Sequence, residues 1–160
     1  MKIDLVLEEL HRSENDLAAQ LLVVSDRHSA DHGVHHVARD LATWAQDHVR
    51  RIAEIGHAYG LDLDPEPAGD PGLLARVRQD VADALGRRSA PALLLLRDLR
   101  SVYVDASGVS VDWEVIAQAA QGVRDRDLLA VASSCHPDTL RTARWANSMI
   151  KEQAPQILAS

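Results

Sequence analysis

Two ionisable residues interrupt apolar helical stripes in the first third of the chain, and their types suit metal or proton chemistry. Glu14 falls in the gap between Leu10 and Leu17, and His48 follows Trp44 by about one helical turn. A histidine and a carboxylate that meet inside a helical protein can bind Fe, Mn or Zn. They can also form a buried polar cluster, in which the carboxylate needs a partner because an unpaired buried charge is costly.

The segments that carry these residues are long and amphipathic, and they must fold against each other to bring the pair together. Their apolar stripes predict helix A over residues 4–27 and helix B over residues 34–59, with Gly33 as the break in the turn between them. Because Glu14 and His48 lie equally far from the turn near residue 31, an antiparallel hairpin would place them at the same height.

The remainder of the chain adds three predicted helices and completes a single helical-bundle domain over residues 1–160. Apolar residues make up 46% of the chain and aromatic residues 3%, and the abundant Ala and Leu favour helix. Asp70-Pro71 is a typical helix start. His136-Pro137 should kink or restart the last helix. We expect that helix to end at Gln153-Ala154-Pro155. The three helices are a crossover helix over 71–85, helix C over 91–121 and helix D over 125–152.

The lengths of the connections predict the topology. Helices A and B, and likewise C and D, are joined by short turns, whereas the connection from B to C is long enough to run the length of a bundle. The prediction is therefore an all-α, up-down-down-up four-helix bundle with an extra short helix in the B–C crossover, the arrangement of ferritin-like folds.

The helix A–helix B hairpin also resembles a known family. The segments Glu8-Glu9-Leu10-His11-Arg12-Ser13-Glu14 and Ala45-Gln46-Asp47-His48-Val49-Arg50-Arg51-Ile52 resemble the first half of bacterial ferritin-like proteins, nearest to the ferritin-like stress-protein family of unknown function. In diiron members, helix A supplies a Glu, helix B a Glu-x-x-His, helix C a Glu and helix D a second Glu-x-x-His. The resemblance assigns Glu14 and His48 to ligand positions, but Ala45 stands where the helix B Glu would be.

Helices C and D depart further from the diiron pattern. Counted from the turn near residue 123, Asp105 takes the place of the helix C Glu, and helix D offers Arg141 and Arg144 instead of a Glu and a His. One alternative is a mononuclear Fe, Mn or Zn site with Glu14, His48 and Asp105 as ligands. The other is a buried polar cluster, without a cofactor, in which Arg141 or Arg144 is the counter-charge. We favour the cluster, because an arginine near the site would repel a cation.

The turn between helices A and B is rich in histidine. Several of its side chains form i,i+4 pairs that could chelate a metal on a continuous helix, but Gly33 interrupts the helix there. We therefore expect an exposed polar turn that titrates below neutral pH and binds metal only adventitiously. The histidines are His28, His32, His35 and His36.

Composition disfavours several partners. The net charge of −7 disfavours nucleic acid, which needs a basic stripe, and the longest apolar run, residues 90–96, is far too short to cross a membrane. The N-terminus has acids within its first nine residues and does not resemble a signal peptide. With Cys135 as the one cysteine, the chain fits the cytoplasm and has no internal disulfide.

These observations favour a non-enzymatic stress-associated or interaction protein that has lost a complete diiron centre, has no catalytic residues and pairs as a homodimer through a helix face. One alternative is a ferritin-like metal-binding protein with the mononuclear site. The other is a small-molecule-binding bundle whose interior pocket is lined by Trp44 and Trp145, although both tryptophans also suit core or interface positions.

Overall fold

The computed structural model describes residues 2–67 and 91–160. Over these ranges the chain is all-helical and contains no strand, as the apolar periodicity predicted. The crossover helix that we predicted over 71–85 lies outside the described residues. The elements are α1 (Ile3–Arg27), α2 (His32–Gly56), a 3₁₀ turn (His57–Tyr59), α3 (Pro91–Val123) and α4 (Arg126–Leu158).

The start of α2 is set by an aspartate cap. The side chain of Asp31 accepts a hydrogen bond from the backbone N–H of Val34 at 3.1 Å. Such a cap stabilises a helix by about 1 kcal/mol, because it satisfies a backbone donor that has no partner within the helix. The cap starts α2 at His32, two residues before the predicted start, so Gly33 belongs to the first helical turn and does not break it.

The end of α2 is tighter than predicted. The α-helix stops at Gly56, and the segment that was predicted to continue it to residue 59 forms the 3₁₀ turn. Gly60 follows with a φ of 77°, in the left-handed region that glycine tolerates. The backbone N–H of Leu61 then donates to the carbonyl of Gly56 at 3.0 Å, a typical way to close a helix C-terminus.

A second aspartate cap starts α4 and connects it to the end of α2. Asp125 accepts hydrogen bonds from the backbone N–H of Leu128, at 3.0 Å, and from the hydroxyl of Tyr59. Burial, followed by the hydrogen bond and charge interaction with Asp125, raises the pKa of Tyr59 to about 12. The backbone N–H of Leu128 and then the Tyr59 hydroxyl lower the pKa of Asp125, because both donate to its charged form.

The prolines of α4 do not divide it. The helix does not restart at Pro137, and it continues through Pro155, where its end was predicted. A proline keeps the helical φ, but it removes one backbone donor and its ring crowds the carbonyl four residues earlier. The carbonyl that loses its partner at Pro137 belongs to Ser133, which is exposed and therefore open to water, and Pro155 lies within the last turn.

The four long helices enclose one core. α1 packs against α2 and α3, and α4 packs against α3 and α2, so that each helix has two neighbours. The interior is mostly aliphatic, as the scarcity of aromatic residues predicted, and its largest fully buried side chain is Trp113. No helix in the described ranges combines the length and apolarity that a membrane span requires. Among the described residues, six polar or charged side chains are also buried: Glu14, Ser25, His48, Ser110, Thr139 and Thr142.

Candidate functional site

Glu14 of α1 and His48 of α2 meet in the centre of the bundle. Their side chains are 0% and 2% exposed, and Nδ1 of His48 lies 2.8 Å from Oε1 of Glu14. Each occupies the polar position of an apolar stripe, so the burial of the stripes carries both groups into the core. A carboxylate and an imidazole are thus held in direct contact with little access to water.

Two residues that the sequence argument did not select complete this site. Nε2 of His48 lies 3.1 Å from Oδ2 of Asp138 on α4, and Nε1 of Trp113 on α3 donates to Oε1 of Glu14 at 2.8 Å. Each of the four helices therefore contributes one side chain. We call Glu14, His48, Trp113 and Asp138 the core polar cluster.

The hydrogen bonds of the cluster favour the protonated form of His48. Both ring nitrogens face carboxylate oxygens, which only accept, and only a protonated imidazole can donate from both nitrogens. Burial by itself lowers the pKa of His48, but hydrogen bonds and charge interactions with Cys135 and Glu14 outweigh it and raise the pKa from 6.5 to about 11. At neutral pH the cluster therefore contains an imidazolium between two carboxylates.

In this arrangement His48 acts as a hydrogen-bond donor and not as a metal ligand. A histidine ligates a metal through the lone pair of a neutral ring, and an imidazolium has no such lone pair. Among the described residues, no group of three or more His, Cys, Asp or Glu is arranged to hold a metal ion. The other oxygen of Glu14, Oε2, is buried and has no hydrogen-bond partner, so that the carboxylate is held through a single oxygen.

The structure does not bring the remaining candidates of the sequence analysis to the pair. Asp105, the proposed third ligand, lies on α3 outside the core and is only partly covered, because it lies one residue before the core position Ala106. Arg141 and Arg144, the proposed counter-charges, are exposed on α4. Arg141 donates to Asp138 at 3.3 Å and therefore reaches the cluster only indirectly, whereas the counter-charge to Glu14 is His48 itself.

Cys135 and His136, next to the cluster on α4, do not form a nucleophile–base pair. Cys135 is fully buried, and its sulfur is 3.7 Å from Nη1 of Arg51.

Nε2 of His136 lies 2.9 Å from the hydroxyl of Ser110 and 3.6 Å from Oε1 of Glu114. In a serine–histidine–acid triad the acid contacts the opposite ring nitrogen, where it orients the base. Here both partners face the same nitrogen.

The histidines of the turn divide into two structural and two exposed residues. Nε2 of His28 lies 2.6 Å from Asp98, which also accepts from Arg27, so the turn is tied to α3. Nδ1 of His35 lies 2.9 Å from the carbonyl of Ser25. His32 and His36 are both exposed, and their rings stack with centroids 6.2 Å apart.

A groove between α1 and α3 forms a cavity along the described residues. Its volume is about 490 Å³, within the range of roughly 300–1,000 Å³ that is usual for ligand pockets. Trp44 and Trp145, the predicted pocket residues, pack against the core and do not line it. We call this cavity the α1–α3 groove; its lining residues are Ser13, Asp16, Leu17, Gln20, Val104, Asp105, Gly108, Val109 and Asp112.

The α1–α3 groove is apolar in its interior and acidic along its sides. None of the described residues that line it is basic, whereas three are aspartates. Burial raises the pKa of Asp105, with a hydrogen bond from Gln20 acting in the opposite direction. Burial and then the charge of Glu9 raise the pKa of Asp112. Partial burial therefore makes the charged form of each carboxylate less stable than it would be in water.

Asp138 of the core polar cluster could have been found from the sequence. Counting the same distance from the turn near residue 123 along helix D leads to residues 140 and 141, and Asp138 lies less than one helical turn away. Trp113 was harder to find, because it lies about two turns after Asp105 on α3. Side chains on a helix point toward its N-terminus, which brings the long indole back toward Glu14.

Comparison with known proteins adds no functional assignment. The chain matches no family, no curated protein and no solved structure. The function of this chain must therefore be inferred from its own residues and geometry.

Proposed function

We propose that this protein is a non-enzymatic binding module of ferritin-like architecture, in which a structural polar cluster occupies the place of a diiron centre. The observation that carries the proposal is that both ring nitrogens of His48 face carboxylates, Glu14 at 2.8 Å and Asp138 at 3.1 Å. A histidine used in this way holds helices together and is not available to a metal.

The arrangement of the helices supports the architectural part of the proposal. Each long helix packs on two others, and α1 and α2 form a hairpin joined by a short turn. An up-down-down-up course of the four long helices agrees with these neighbours. The association with stress responses follows from the sequence resemblance and belongs to the same proposal.

A binding module acts through its surface, and α3 offers the best candidate. Val104, Val111 and Val115 are 51%, 55% and 49% exposed on this helix, which also forms one side of the α1–α3 groove. Solvent-exposed valines beside a cavity of ligand size support binding at this face. The homodimer expected from the sequence is the alternative use of the same face.

Metal analysis of the untagged protein, expressed with added iron, manganese and zinc, tests the proposal. We expect far less than one equivalent of each metal per chain after extensive dialysis. A His32→Ala/His36→Ala variant controls for metal on the exposed histidine pair. Stoichiometric metal that survives in this variant, but is lost in Glu14→Gln/His48→Gln, would overturn the proposal and support a metalloprotein.

A further inference from the structure

The α1–α3 groove combines features that together specify a ligand class. The groove has an apolar lining made of the half-exposed Val104 and the core residues Leu17 and Val109, which favours a hydrocarbon group. Asp105 and Asp112 lie seven residues apart on α3, about two helical turns, and therefore on one side of that helix. Asp16 faces the groove from α1.

The charge of the groove determines the sign of the charge that the polar group of a ligand can carry. Its described lining contains carboxylates and no cation, so an anionic ligand would be repelled. A cation beside one of the aspartates would make charge-assisted hydrogen bonds, which are stronger than neutral ones. It would also favour the charged form of that carboxylate, which partial burial disfavours at Asp105 and Asp112.

The size of the groove limits the ligand to a small molecule. On α3 the lining extends from Val104 to Asp112, which is roughly 12 Å at a rise of 1.5 Å per residue. Gly108 lies in the middle of this stretch, and a Cβ atom built on it would meet no other atom within 4 Å. The space above Gly108 is therefore open to a bound hydrocarbon chain.

We propose that the α1–α3 groove binds a small cationic amphiphile, an alkylammonium-type ligand, with its hydrocarbon chain along Leu17, Val104 and Val109 and its ammonium against an aspartate of the lining. The inference rests on the proposed function, because it names the ligand class of that binding face. The core polar cluster takes no part in it.

Calorimetric titration of the full chain with octylammonium at pH 7 tests this inference, with octanol and octanoate as probes of equal chain length. We expect one octylammonium per chain, weaker binding of octanol and no binding of octanoate. Asp105→Asn/Asp112→Asn should weaken octylammonium binding by roughly tenfold or more. Asp26→Asn/Asp40→Asn, which removes the same charge at exposed positions of α1 and α2, should bind as the wild type does.

A steric variant separates binding in the groove from binding elsewhere. The Cβ atom of Gly108→Leu enters open space, so this variant should keep the helical content of the wild type and lose octylammonium binding. Octanol binding as tightly as octylammonium, or unchanged binding in Gly108→Leu, would overturn the inference. So would the absence of octylammonium binding combined with a monomer–dimer equilibrium that Gly108→Leu shifts, because the groove would then be a self-association face. None of these results alters the metal analysis, so the two proposals can fail separately.

Discussion

Nδ1 of His48 lies 2.8 Å from Oε1 of Glu14, with both side chains sealed inside the bundle. Breaking a buried ion pair is far more destabilising than breaking an exposed one, because the remaining charge loses its partner without gaining water. The contact with His48 therefore makes Glu14 a residue that stabilises the fold.

Glu14→Ala should lower the free energy of unfolding by about 3–5 kcal/mol, since it leaves the imidazolium of His48 buried beside only one carboxylate. Urea unfolding followed by circular dichroism measures the change. Glu8→Ala, at an exposed position of the same helix, is the matched control and should change stability by less than about 0.5 kcal/mol. Equal stability of the two variants would mean that the Glu14–His48 contact does not hold the bundle.

The raised pKa of His48 predicts a pH dependence of stability. The folded protein keeps the proton up to about pH 11, whereas an unfolded histidine loses it near 6.5. The stabilisation is therefore complete below pH 6.5 and is lost as the pH rises toward 11. Between pH 7 and 9.5, the stability advantage of the wild type over His48→Gln should shrink by up to about 1.4 kcal/mol per pH unit. A constant difference across this range is incompatible with a retained proton.

The hydrogen bond from Tyr59 to Asp125 ties the end of α2 to the cap of α4. Asp125→Ala removes both the cap and this bond, and should cost about 1–3 kcal/mol of unfolding free energy. Tyr59→Phe removes the bond alone and should cost about 0.5–1.5 kcal/mol. Denaturant unfolding of the two single variants and the double variant measures the coupling. Strictly additive losses would show that the two residues do not interact.

The tyrosine itself gives an independent measurement. In a Tyr103→Phe background, absorbance at alkaline pH follows Tyr59 alone, and its midpoint should lie near pH 12. The Asp125→Asn variant should move this midpoint down, because the carboxylate is the anion that disfavours tyrosinate. A midpoint near 10 in the Tyr103→Phe protein would contradict the contact.

Two glycines should respond in opposite ways to alanine. Gly108 lies inside α3 with open space around it, so Gly108→Ala should stabilise the protein by about 0.5–1 kcal/mol through helix propensity. Gly60 has a φ of 77°, so Gly60→Ala should destabilise it by about 1 kcal/mol or more. Thermal unfolding of the pair provides the comparison, and a change of the same sign in both variants would refute this explanation.

The sequence predicted the elements better than the contacts between them. Apolar spacing placed α1 to within one residue, because the stripe that defines a helix is also the stripe that is buried. It also indicated Glu14 and His48, which occupy polar positions within such stripes. Helix ends were less predictable, since the caps at Asp31 and Asp125 and the weak effect of Pro155 depend on local hydrogen bonds.

The partners of the cluster depended on information that the sequence does not contain. Whether Asp138 or Arg141 points inward is decided by the rotation of α4 about its axis, and these two residues lie on neighbouring parts of one turn. We predicted Arg141 or Arg144 as the counter-charge to Glu14, whereas Nδ1 of His48 contacts Glu14 and Arg141 contacts Asp138. A protonated histidine supplies the positive charge that a metal or an arginine was expected to supply.

The most direct test of the central claim is ¹⁵N NMR of the histidine rings, with His48 assigned by comparison with His48→Gln. We predict that both ring nitrogens of His48 show the chemical shifts of a protonated imidazolium from pH 6 to pH 9.5. Separate shifts for one protonated and one bare nitrogen at pH 7.5 would contradict the account, because His48 would then be neutral and able to bind a metal.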